Sequence, residues 1–110
     1  MTSEERKQKI ELYGDAYNIL MEALKEFPRE MWHFKPSPND WSIHELVVHI
    51  ADSEANSYAR CRKAIAEPGT VVMAYNESQW AKTLNYEEQS AEGALALFKA
   101  LRGNTYKLIK

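Results

Sequence analysis

Trp41-Ser42-Ile43-His44-Glu45-Leu46-Val47-Val48-His49-Ile50-Ala51-Asp52-Ser53-Glu54 reads as the start of a long amphipathic helix, and the rest of the chain falls into place around it. Ser42 and Glu45 have the spacing of a capping box: the Ser42 hydroxyl accepts the Glu45 amide, and the Glu45 carboxylate reaches back to the Ser42 amide. Trp41 and Leu46 stand at the two positions of a hydrophobic staple. The spacing predicts a helix to about Ala66, halted before Pro68-Gly69. Its expected packed stripe is Ile43, Leu46, Val47, Ile50, Ser57, Cys61 and Ile65.

Upstream, Ile10, Tyr13, Tyr17, Leu20, Met21 and Leu24 recur at helical spacing and predict a first helix from about Ser3 to Glu26, with Ser3 as N-cap and Pro28 helping to end it. Gly14 lies inside that helix and weakens it. Met31 to Asp40 carries two prolines, an Asn and an Asp, and reads as an ordered loop anchored by Trp32, Phe34 and Trp41. Downstream, Thr70 to Asn85 is less regular, with a short helix expected over Asn76 to Lys82 and Trp80 turned inward. A third long helix is expected from about Tyr86 to the end, capped by Asn85, with Leu95, Phe98, Leu101, Tyr106 or Thr105, and Leu108 on its apolar side.

The expected fold class is therefore all-α, a single domain over residues 1–110 with three long helices and one short one. Apolar residues form 45% of the chain, enough for a packed core and too many for a disordered segment. A formal net charge of −2 gives no footprint for nucleic acid and no attraction to an anionic membrane surface. Cys61 is the only cysteine, so an internal disulfide is ruled out and a reducing, cytoplasmic setting is expected. The first residues are charged and polar, without the apolar core of a secretion signal. The apolar stripe of the last helix is still running at Leu108 and Ile109. Three such helices leave an apolar face open, so a fourth bundle helix is expected to be missing or supplied by a partner, with a homodimer as the simplest solution.

Three histidines are present: His33, His44 and His49. His49 sits mid-helix at the edge of the packed face, with Asp52 and Ser53 at i+3 and i+4 on the same side. A neutral imidazole there can bind a divalent metal, and a carboxylate one turn on can ligate it or support the ligand. The plainer reading is a structural histidine beside the core. His44 lies about 140° around the wheel from His49 and is expected to be solvated near the helix start. His33 lies in the aromatic loop. Asp52 and Glu54, at i and i+2, point apart and cannot share acid–base work, and Glu54 reads as an exposed helix charge. Cys61 between two arginines could be a reactive thiol, but a buried small hydrophobe is the simpler reading. Trp32, Phe34, Trp41, Tyr75 and Trp80 could line a pocket, though loop aromatics more often anchor a core.

The Trp41-to-Glu54 stretch resembles the second-helix signature of the DinB/YfiT-like superfamily, with a Trp-Ser start, a Glu, and then a His followed by apolar and acidic residues. Phe34-Lys35-Pro36-Ser37-Pro38-Asn39-Asp40 is similar to the family's proline-containing lead-in, and Asn76-Glu77-Ser78-Gln79-Trp80-Ala81 to a segment of one branch. The resemblance runs from the first helix to Lys110. It implies a four-helix bundle holding a divalent metal, nickel or zinc, on three histidines. One maps onto His49, and the other two belong to a His-x-x-x-His pair on a last helix that these residues do not contain. It implies a metal-dependent enzyme of the hydrolase type, or a transferase acting with a low-molecular-weight thiol, in the complete form. The 110 residues alone are not expected to catalyse, and the rival expectation is a degenerate bundle serving as a dimerisation module.

Overall fold

A computed structural model describes residues 2–69, 71 and 74–110. Of the irregular segment expected from Thr70 to Asn85, the residues Thr70, Val72 and Met73 lie outside the described set. The α-helices are α1 (Ser3–Gly14), α2 (Ala16–Leu24), α3 (Ile43–Ala66), α4 (Glu77–Thr83) and α5 (Ala91–Ile109), with single 3-10 turns at Arg29–Met31 and Tyr86–Glu88. Among the described residues there is no strand, and no helix is long and apolar enough to cross a membrane.

The first long helix is in fact two. Asp15 leaves helical geometry (φ −91°, ψ 1°), and its carboxylate accepts the Asn18 side-chain amide at 2.9 Å. Thr2, not Ser3, is the N-cap, accepting the Glu5 amide at 3.0 Å. The last long helix is also shorter than expected. Asn85 adopts a left-handed conformation (φ 52°), Tyr86–Glu88 makes one 3-10 turn, and Ser90 caps α5 through the Gly93 amide at 2.9 Å. The short helix is as expected to within a residue, capped by Asn76.

The capping box of α3 is formed, with the Ser42 hydroxyl 3.1 Å from the Glu45 amide and the Glu45 carboxylate 3.0 Å from the Ser42 amide. The face that α3 buries is only partly the expected one: Val47 is buried and Ile43 packs against the core. Leu46 is 43% exposed, Ile65 and Ser57 are also exposed, and the staple with Trp41 is therefore not the device that fixes the entry. The buried residues are His44, Glu45, Val47, Val48, Ala51 and Glu54. Reading only apolar residues misplaced the stripe, because three of the six are polar. α3 packs chiefly against α5, and their Val47, Val48, Ala51, Ala91, Ala94 and Leu95 form the core with Trp32 and Tyr86. Trp32 anchors the loop as expected, donating its indole N–H to the Phe27 carbonyl, whereas Phe34 is exposed.

The Ser42 hydroxyl also donates to Glu87 at 2.7 Å, tying the start of α3 to the second 3-10 turn, and His33 bonds the other Glu87 oxygen. Partial burial raises the Glu87 pKa, but the bonds from Ser42 and His33 outweigh it and leave the carboxyl below its ordinary value of 4.5. A depressed carboxylate adds stability above its unfolded pKa and loses it as pH falls through the folded value. The urea midpoint of the wild type should therefore exceed that of Glu87→Gln near neutrality, and the gap should close below about pH 4. A gap that persists unchanged into acid would show that Glu87 does not act through its charge.

Candidate metal centre

His49 is carried on α3 with its side chain 19% exposed. The ring meets the Trp41 indole edge-on, 4.9 Å between centroids. It lines a cavity of about 220 Å³ together with Leu20, Ser53, Glu54, Phe98 and Arg102. Nδ1 is buried and has no hydrogen-bond partner. Nε2 faces Glu77 Oε2 at 4.0 Å, beyond hydrogen-bond range. A buried polar atom without a partner is uncommon and asks for an explanation. Glu77 opens α4, directly after the Asn76 cap, and is the functional candidate that sequence reasoning missed. In the sequence Asn76 and Glu77 mark the start of the short helix and belong to the segment similar to one family branch, with no ligand role attached.

Asp52, one turn along from His49, accepts the Tyr86 hydroxyl at 2.6 Å. Tyr86 is fully buried. Burial, then the hydrogen bond to Asp52 and its negative charge, push the Tyr86 pKa far up, so the phenol stays protonated and donates. Asp52 is thereby held on Tyr86. Tyr75 is raised as well, first by burial, with the charges of Glu77 and Asp52 acting in the same direction. Ser53 faces the His49 cavity.

An imidazole and a carboxylate fit part of a divalent-metal shell. Two ligands at tetrahedral Zn distances lie about 3.4 Å apart. The side chain of Glu77 is 56% exposed, so a modest rotation would close the 4.0 Å gap. Among the described residues no group of three or more His, Cys, Asp or Glu side chains is placed to hold an ion.

The other sequence candidates lie elsewhere. His44 is buried rather than solvated: Nε2 donates to the Gln89 carbonyl at 2.6 Å and the ring stacks on His33, 4.3 Å between centroids. Hydropathy could not foretell this partner, 45 residues along the chain. Glu54 is 4% exposed, contrary to its reading as a surface charge. It pairs with Arg102 of α5 at 2.7 and 3.0 Å and accepts the Tyr13 hydroxyl at 3.1 Å. Cys61 is free and half-buried. Of the aromatic set, Tyr75 and Trp80 line a cavity, while Trp32 belongs to the core.

A sequence profile of the DinB superfamily matches residues 12–110. The chain is 33% identical over 96 residues to a protein of Oceanobacillus iheyensis whose name proposes a metal-dependent hydrolase, covering 87% of this chain and 55% of that protein. A similarly named protein of Halalkalibacterium halodurans is 45% identical over 49 residues, 44% of this chain and 29% of its own length. YfiT of Bacillus subtilis, also so named, is 26% identical over 109 residues, 98% of this chain and 61% of its length. The solved structure of YfiT, described as an unusual four-helix bundle, superposes with a TM-score of 0.87 at 23% identity, covering 99% of this chain and 62% of that one. That likeness establishes the helical-bundle fold. It takes in nearly all of this chain and does not support the expected absence of a bundle helix. The chain spans less than two thirds of the length of each of these relatives.

Proposed function

This chain belongs to the DinB superfamily, and we propose that it supplies part of a divalent-metal centre of the hydrolase type. The observation that carries the reading is the His49 imidazole, with a buried unpartnered Nδ1 and an Nε2 facing a carboxylate it does not bond. His49 and Glu77 would hold the ion, and further ligands from outside the described residues complete the shell. When bound, a divalent ion supplies Lewis-acid polarisation of substrate and water.

Trp41 limits rotation of the His49 ring by its edge contact, and the Tyr86 phenol keeps Asp52 from swinging into the site. Leu20 and Phe98 give the His49 cavity an apolar wall. Imidazole with carboxylate is a nitrogen–oxygen donor pair, which suits nickel or zinc. The names of the relatives support hydrolysis ahead of transfer to a low-molecular-weight thiol.

Titration with nickel or zinc, followed by isothermal calorimetry, tests the reading. One imidazole and one carboxylate leave most of the shell to water, so weak saturable binding is expected. Glu77→Gln should weaken it by about tenfold and His49→Ala should abolish it. Binding of equal strength in His49→Ala would overturn the assignment.

A further inference from the structure

A second cavity, of about 490 Å³, runs beside α3, and its lining combines two cationic side chains, Arg60 and Lys63, with the aromatic rings of Tyr75 and Trp80. The volume is in the range of small-molecule sites. Its polar wall is Asn56, Arg60 and Lys63 of α3, and its apolar wall includes Val71, Tyr75 and Trp80. The Tyr75 and Trp80 rings lie 4.6 Å apart at a tilt. Among the described residues neither Arg60 nor Lys63 forms an ion pair, and Arg60 Nε is buried with no hydrogen-bond partner. An arginine fork that is partly desolvated and unpaired is a receptor for a planar anion.

The position of this cavity relative to His49 follows from helix geometry. Asn56, Arg60 and Lys63 are 7, 11 and 14 residues beyond His49, within about 40° of it on the wheel. All four therefore lie along one stripe of α3, with Arg60 about 16 Å further along the axis. Facing them, the segment Tyr75 to Trp80 serves both sites: Glu77 faces His49, while Tyr75 and Trp80, the latter one turn on from Glu77, wall the cavity.

We propose that this cavity binds the body of the substrate, an extended carboxylate with an aromatic or branched apolar part. Arg60 takes the carboxylate, Lys63 adds charge, the Tyr75–Trp80 pair takes the apolar part, and the other end runs along α3 toward His49 and Glu77. The direction of the substrate rests on the metal-site reading; the cavity's taste for an apolar carboxylate does not.

The test compares 4-phenylbutyrate with its uncharged analogue 4-phenylbutan-1-ol, each titrated into the metal-free chain and followed by amide and indole NMR shifts. The acid is expected to bind about tenfold more tightly than the alcohol, the worth of one charge-assisted pair. The shifts should centre on Asn56, Arg60 and the Trp80 indole. Arg60→Gln, a change at a partly exposed position checked for an unaltered circular dichroism spectrum, should bring the two affinities level, and Lys63→Gln should narrow the gap. His49→Ala should leave the acid's affinity unchanged, so failure of the metal reading and failure of this one are separable. Equal affinities in the wild type, an acid preference that survives Arg60→Gln, shifts centred elsewhere, or no saturable binding below about 10 mM would each overturn the proposal.

Discussion

Glu54→Ala is expected to destabilise the fold by about 3–5 kcal/mol, a large part of the total stability of a domain this size. Glu54 is almost wholly buried and receives two Arg102 nitrogens and the Tyr13 hydroxyl. Arg102 in turn lies 3.8 Å over the Tyr13 ring and donates to the Tyr13 carbonyl at 3.3 Å. One carboxylate thus joins α1, α3 and α5. Removing it strands a guanidinium in a partly buried site, and an unpaired buried charge costs more than the pair itself contributes. The Tyr13 phenol should respond too, since burial and then the Glu54 charge raise its pKa. Urea unfolding gives the stability, and the variant's Tyr13 titration should move down toward its ordinary value. A double variant, Glu54→Leu with Arg102→Met, removes both charges and should recover much of the loss. If the single variant costs under about 1 kcal/mol, the pair is screened like a surface salt bridge and does not tie the helices.

The same residues show what the sequence could and could not foretell. The capping box at Ser42 and Glu45, the long helix that it starts and the short helix after Asn76 follow from local chemistry within a few residues, and they stand as expected to within a residue. The buried face of α3 depends on partners far along the chain. Glu54 is buried because Arg102, 48 residues away, neutralises it, and His44 because the Gln89 carbonyl accepts its proton. A reading that sends charges outward has no way to see those partners. One signal was available: 44, 47, 51 and 54 are themselves at helical spacing, so the stripe could be found by allowing polar members. His49 was singled out for its place at the edge of the core and is found on the cavity wall, with Ser53 beside it and Asp52 fixed by Tyr86. Glu77 was missed because it lies on a different helix from His49, and no local pattern encodes a contact between the two.

Gly14→Ala carries the second large effect, and here two principles oppose each other. Alanine in a helix is favoured over glycine by about 1 kcal/mol, so at an exposed position the change would stabilise. At Gly14 a Cβ would stand 2.4, 2.6 and 2.8 Å from the Tyr106 ring atoms Cδ1, Cε1 and Cγ. Those atoms include the root of the ring, so relief requires the whole side chain to turn and not only its tip. Turning it would break the Tyr106 hydroxyl's bonds to Glu11, at 2.8 and 2.9 Å. Overpacking of this kind costs about 1–3 kcal/mol and outweighs the gain in propensity. A net loss of about 1–2 kcal/mol is therefore expected in urea unfolding, concentrated in the contact between α1 and α5. The sign should reverse in a Tyr106→Ala background, where the ring is gone and Gly14→Ala should stabilise by up to about 1 kcal/mol. If Gly14→Ala stabilises the wild-type background as well, the close approach of Tyr106 to α1 is not maintained in solution, and the glycine is there for the bend at Asp15 rather than for the ring.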